Sequence, residues 1–179
     1  MARYVALLRS VNIGGYGRMA MSDLRETFGS LGYDDVVTYI QSGNVVFSAS
    51  SKNEDAIVEA IEQRIAHDFG DSPAVLLRTA ADLRRIASKS PFAKKGADPA
   101  RHHVTFLDEA PSKSTLAALA LPPSGKDELV VDGREVYVHT PDGYAGTKYT
   151  GTLIERRLGV VSTTRNWNTV TKLTQLTSR

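Results

Sequence analysis

With 179 residues, 41% of them apolar, the chain is long enough to bury a core without disulfides, and its lack of cysteine excludes thiolate metal sites and cysteine nucleophiles. No apolar run approaches the roughly 20 residues of a membrane span, and Arg9 interrupts the N-terminus too early for a signal peptide. A cytoplasmic protein starting at Met1, with no membrane partner, is therefore expected. The net charge of +2 is too small to announce a nucleic-acid binder. It is unevenly placed, however: residues 1–22 hold Arg3, Arg9 and Arg18 with no acid, and residues 140–179 hold six cations against Asp142 and Glu155.

RYVALLRSV is apolar on both faces of its alternation, as an interior strand would be, and a glycine loop follows it. From Ser22 the pattern turns helical: Leu24, Phe28 and Leu31 share a face, Ser22 is placed to cap and Gly32 to stop the helix. VVTYI and VVF then flank QSGN, a hairpin turn in which Gly43 or Asn44 takes positive φ. Ser51 and Glu54 predict a capping box for a helix lined by Ile57, Val58, Ile61, Ile65 and Phe69, and AVLLRT reads as a strand. Strand, helix, strand, strand, helix, strand is the split βαβ order of a ferredoxin-like unit, covering residues 1–78.

Residues 79–102 read as a short helix (Thr79 to Lys89) and a linker, SPFAKKGADPARHH, rich in proline, glycine and charge. Beyond it come a strand (HVTFL), a helix (STLAALA), a hairpin of ELVV and EVYVH around Asp132 and Gly133, and a helix opened by a Thr152–Glu155 capping box. The same order begins again over 103–179, so the expected fold is α+β, two ferredoxin-like halves with antiparallel sheets and a C-terminal helix. The duplication rests on topology, since no clear residue-level repeat is seen.

In that topology the end of the first strand and the turn between the second and third share one sheet edge. RSVNIGGYGRM, with Arg9, Asn12, Gly14, Gly15, Gly17 and Arg18, should therefore meet YIQSGN, with Tyr39, Gln41, Ser42 and Asn44. Cations, amides and glycines before a helix N-terminus suit an anion. GGYG is neither a dinucleotide-binding fingerprint nor a Walker loop, and the same glycines also serve as turn punctuation.

The only tryptophan lies in VVSTTRNWNTVTKL. Trp167, Val170, Leu173 and Leu176 form a stripe that would dock a terminal helix. Thr163, Thr164, Arg165, Asn166 and Asn168 crowd its start, where one cap residue would suffice, and such a terminus also receives phosphate or carboxylate. His102 and His103 enter one strand and His139 leaves a neighbouring one, without metal-ligand spacing, so no metal is expected. Asp108, Glu109 and Asp132 read as turn and solubility residues, and no serine sits in a nucleophile elbow.

Two long blocks, LLRSVNIGGYGRMAMSDLRETFGSLGYDDVVTYIQSGNVVFS and GTKYTGTLIERRLGVVSTTRNWNTVTKL, resemble the bacterial domain of unknown function family 1697 (DUF1697). The resemblance implies the same α+β pair of ferredoxin-like halves and no particular activity or cofactor. The positions that match its motifs are Arg9, Asn12, Gly14, Gly15, Tyr39, Gln41, Ser42, Gly43, Asn44, Lys148, Arg165, Asn166 and Trp167, while KYTGTLIE departs from the pattern at Tyr149, Gly151 and Leu153. The function expected is binding of an anionic, phosphate-bearing or nucleotide-like ligand, small molecule or nucleic acid, in a basic cleft between the halves. The alternatives are an enzyme acting on such a ligand, with Lys148 or a histidine as acid or base, and a scaffold that pairs through open sheet edges, as in a homodimer.

Overall fold

The computed structural model describes residues 1–13 and 18–179. Contacts divide the chain into two compact units, Met1–Arg84 with Leu173–Arg179, and Arg85–Lys172.

The first unit is built on β1 (Ala2–Leu8), α1 (Met21–Ser30), β2 (Asp34–Tyr39), β3 (Asn44–Ala49), α2 (Glu54–Phe69) and β4 (Val75–Thr79). Its sheet has the order β2-β3-β1-β4 with every pair antiparallel, the ferredoxin-like arrangement. Tyr4, Ala6 and Leu8 of β1 form one core with Phe28 of α1, Phe47 of β3 and Ile57, Ile61 and Ile65 of α2. Val5 and Leu7, on the opposite face of β1, are fully buried as well, together with Leu76 and Arg78 of β4. That is why the first strand carries no polar alternation.

In this unit two caps differ from the sequence reading. The residue before α1 is Ala20, which makes no side-chain cap, and Ser22 already lies inside the helix; α2 is capped by Asn53, whose side chain accepts from the Ala56 N–H. The Ser51 hydroxyl instead accepts from the Asn53 N–H at 3.2 Å, one step earlier in the same turn. Gly32 and Gly70 end the two helices with φ of 77° and 71°.

The second unit repeats the order as β5 (His102–Leu107), α5 (Lys113–Ala117), β6 (Glu128–Asp132), β7 (Glu135–His139), α6 (Gly151–Leu158) and β8 (Ser162–Asn166), with sheet order β6-β7-β5-β8. Leu107, Val136, Val138, Ile154 and Leu158 make the core on one face. On the other face Arg85, from α3 (Ala80–Lys89), pairs at 2.9 Å with the fully buried Glu135, and the Tyr137 hydroxyl donates to the Ile86 carbonyl at 3.3 Å. The segment read as a linker contains α4 (Pro91–Lys94), whose Phe92 is buried and whose cap is Ser90. The cap of α6 is Thr150, not Thr152, and Glu155 accepts from the Ser162 N–H at 2.7 Å. Of the residues read as crowding a helix start, Thr163, Thr164, Arg165 and Asn166 lie in strand β8 (Ser162–Asn166), and α7 (Trp167–Thr177), which holds Asn168, begins only at the tryptophan.

Candidate functional site

In the first unit the two predicted loops do meet, and a single side chain joins them. Asn12 holds φ at 57°, a region its short carboxamide tolerates, and from there its Oδ1 accepts from the Met19 N–H at 2.8 Å. Its Nδ2 donates to the carbonyls of Met19 at 3.1 Å and Gln41 at 2.8 Å. A second clamp lies alongside: the Leu8 N–H donates to the Gly43 carbonyl at 2.8 Å, and a Cβ on Gly43 would stand 2.9 Å from the Leu8 Cβ. Only glycine fits there, and Gly43 takes the positive φ, 76°, that the hairpin required.

The remaining members of that set divide into structural and outward groups. Asn44 is fully buried, donating to the Tyr39 carbonyl at 3.0 Å and the Ser42 hydroxyl at 2.9 Å, so its amide shapes the turn from within. Arg9 and Tyr39 are half-buried at their strand ends, Ser42 is half-buried, and Arg18 and Gln41 are exposed. Gly14, Gly15 and Gly17 lie outside the described residues. The sequence reading passed over Ile13 and Ile40, which stand 65% and 48% exposed at this same end. Ser10 and Ile40 also hold left-handed φ, 56° and 50°. An isoleucine there is unusual, because its branched Cβ crowds the backbone.

In the second unit the polar residues around Trp167 have local duties. Asn166 is the cap of α7, accepting from the Thr169 N–H at 2.9 Å, and Thr164 shares a 2.8 Å hydroxyl contact with Thr105 of β5. Arg165 points to the other face of β8, buried, with Nη1 donating to the Thr163 hydroxyl at 2.6 Å and the Thr164 carbonyl at 3.0 Å. Loss of hydration lowers its guanidinium to about 10. Lys148 is exposed, and its backbone N–H donates to the Ser124 hydroxyl at 3.0 Å.

Trp167 itself is half-buried and lies flat on His102, ring centroids 4.3 Å apart at 16°. His102 is fully buried on β5, opposite His139 of β7, with Phe92 edge-on at 5.5 Å. Its Nε2 lies 3.2 Å from the Ser90 hydroxyl, and its Nδ1 has no partner. Burial first, then repulsion from His103 and His139, lowers its pKa to about 4. His139 also packs on Phe92 and lies 3.5 Å from a Glu128 carboxylate oxygen, whereas His103 points to the opposite face and stacks on Tyr144. Among the described residues no group of three or more histidines and acids is placed to hold a metal. Asp108 accepts from the N–H groups of Glu109 and Val161, which is turn duty. No helix is long and apolar enough to cross a membrane among the described residues.

Comparison with known proteins agrees with this architecture. The structure of a conserved bacterial protein, SP0830 from Streptococcus pneumoniae, is similar with a TM-score of 0.79 at 25% identity, covering 98% of each chain. No curated protein matches the chain. A family model described as protein of unknown function (DUF1697) matches residues 1–137, and the chain belongs to that family.

Proposed function

We propose that the protein binds an anionic, phosphate-bearing or nucleotide-like ligand through the loop pair at the end of the first sheet. The reading is carried by one observation: three of the four described non-glycine residues with left-handed φ, Ser10, Asn12 and Ile40, belong to these two loops. Each such conformation costs on the order of 1–3 kcal/mol, and strain of this kind collects where a fold must present particular groups. Around these loops stand the cations Arg9 and Arg18, the exposed amide of Gln41 and the exposed side chains of Ile13 and Ile40. Cationic and amide donors beside apolar side chains suit a ligand with a charged end and a flat or apolar end, as a nucleotide has. A bacterial, cytoplasmic setting fits the reading, given the cysteine-free chain and the bacterial source of the similar solved protein.

The test is a melting series at low salt with inorganic phosphate, a nucleoside triphosphate and a short oligonucleotide, on the natural chain and on the double variant Arg9→Ser, Arg18→Ser. A ligand present at 100 times its Kd stabilises by about 2.7 kcal/mol, a readily measured rise in Tm. The rise should shrink with added salt, and in the variant the part contributed by the loop pair should be lost, most visibly with the nucleoside triphosphate and the oligonucleotide. If no probe raises the Tm, or the variant responds as fully as the natural chain, the loop pair is not an anion site.

A further inference from the structure

A second place in the molecule, independent of the first-unit loops, has the chemistry of an oxyanion site. In the second unit the turn before β6 and the segment before α6 face each other across a cleft of about 300 Å3, lined by Ser124, Gly125, Lys126, Gly143, Gly146 and Lys148. That volume is at the lower end of the roughly 300–1,000 Å3 typical of small-molecule sites.

The two walls are fastened together through one hydroxyl. Ser124 Oγ accepts from the Lys148 N–H at 3.0 Å and donates to Asp127 at 2.7 Å, while the Asp127 N–H donates to the Ser124 carbonyl at 3.0 Å and closes the turn. Gly125 takes a φ of 60° inside that turn. The backbone N–H groups of Gly125 and Lys126 have no acceptor among the described residues. No side chain on Gly125, Gly143 or Gly146 stands between backbone and cleft, and a Cβ on Gly143 would lie 2.7 Å from a nitrogen of the Arg101 guanidinium.

Counting Arg101 beside the lining, three cations border the cleft against two acids. Lys126 and Lys148 are exposed lining residues with no carboxylate partner among the described residues, and Arg101 adds a third cation against Gly143. The acids of the lining are Asp127, which already accepts the Ser124 hydroxyl, and Asp142. Two lysines on opposed walls, glycine backbones that let a guest approach the amides, and a turn held rigid by Ser124 are the requirements of a compact, multiply charged oxyanion.

We propose that this cleft binds a phosphate group, free or carried on a small molecule as a monoester, between Lys126 and Lys148. The site is distinct from the loop pair of the first unit and stands or falls separately from it.

Amide chemical shifts of the full chain, followed by NMR during titration with inorganic phosphate and in parallel with glycerol 2-phosphate, test the proposal against sodium chloride at matched ionic strength. Within the second unit, saturable shifts confined to Gly125, Lys126, Gly146 and Lys148 are expected. Binding should weaken by about tenfold in Lys126→Gln, Lys148→Gln, whose side chains are exposed and whose removal leaves the core intact. It should be unchanged in Arg9→Ser, Arg18→Ser. Tighter binding of glycerol 2-phosphate would assign a monoester, and equal or tighter binding of inorganic phosphate the free ion. Shifts that do not saturate, that chloride reproduces, or that persist at full strength in the lysine double variant would overturn the site.

Discussion

Acid should destabilise this protein through one residue in particular. His102 is fully buried between the ring of Trp167 and the edge of Phe92, and its Nδ1 has no acceptor to receive a second N–H. The groups around it do not favour a proton: His139 lies opposite on β7, His103 adjoins it, and Glu135 on the same sheet face is already paired with Arg85. Its folded-state pKa is about 4, against about 6.5 for an unfolded histidine. The unfolded chain therefore takes up more protons than the folded one between these values. The stability is fully present above pH 6.5 and is lost as pH falls towards 4. The loss is about 2 kcal/mol at pH 5 and about 3 kcal/mol in the limit.

Urea unfolding at pH 7, 6 and 5, on the natural chain and on His102→Phe, isolates the effect, because phenylalanine keeps an aromatic ring against Trp167 but does not titrate. Loss of the Ser90 contact should shift the variant's stability by a constant amount, and the contribution of His103 should cancel between the two proteins. Since Trp167 is the only tryptophan, its emission reports the same ring stack directly. Parallel stability curves for the two proteins from pH 7 to 5 would refute the assignment of the acid response to His102.

Two further outcomes follow from the loop geometry. Gly43→Ala should cost about 2–3 kcal/mol and lower Tm by roughly 5–10 °C, because the new Cβ meets the unyielding Leu8 Cβ at 2.9 Å with φ at 76°. The control Gly32→Ala, at φ 77° but with open space around it, should lose only about 1 kcal/mol in the same denaturation assay. Asn12→Gly keeps the backbone's freedom to hold φ near 57° while removing all three carboxamide bonds. Amide exchange at Met19, whose N–H donates to Asn12 Oδ1, should accelerate at least several-fold, and an unchanged rate would mean that the loops are joined by something else.

Much of the fold was legible in local chemistry. The isoleucine stripe of α2, the hairpin at Gly133 and the element order that repeats after residue 102 all rest on period and turn residues that act within a few positions. The errors arise where side chains choose between equivalent local partners. Ser51 and Asn53 can each cap the same first turn, and Asn53 has the role because its Oδ1 reaches the Ala56 N–H. β8 was hidden because Ser162, Thr163 and Thr164 are small polar residues without apolar alternation; pairing with β5 makes them a strand. Phe92 anchors a segment that its proline and glycine neighbours marked as linker, a tertiary choice no local pattern contains. At the candidate site, topology brought the two loops together in advance. The bonds of Asn12 to Gln41 and of Asn44 to Tyr39 depend on rotamers set by the folded turn, so the sequence named the amides without separating those that build the loops from those that face outward.

The position of Trp167 becomes intelligible when the two units are aligned through their sheets. Arg78 stands opposite Val5 in the first sheet and Arg165 opposite Val104 in the second, each the fourth residue of a five-residue strand. The next residue in each case caps the following helix: Thr79 Oγ1 accepts from the Asp82 N–H, and Asn166 Oδ1 from the Thr169 N–H. Leu83 and Ile86 then match Val170 and Leu173, all four fully buried. The two units therefore share a strand arginine, a cap and an apolar stripe at equivalent positions. Within that correspondence Trp167 matches Ala80, and His102, two residues before Val104, matches Arg3, two residues before Val5. A helix at this place starts equally well on alanine, so the indole is not required to begin α7. In the first unit the equivalent cation spans outward to Asp35 and Ser48; in the second, imidazole and indole lie face to face. The tryptophan ring covers one face of the histidine, and with Phe92 and Tyr137 it shields an imidazole that would otherwise be hydrated and titrate near neutrality.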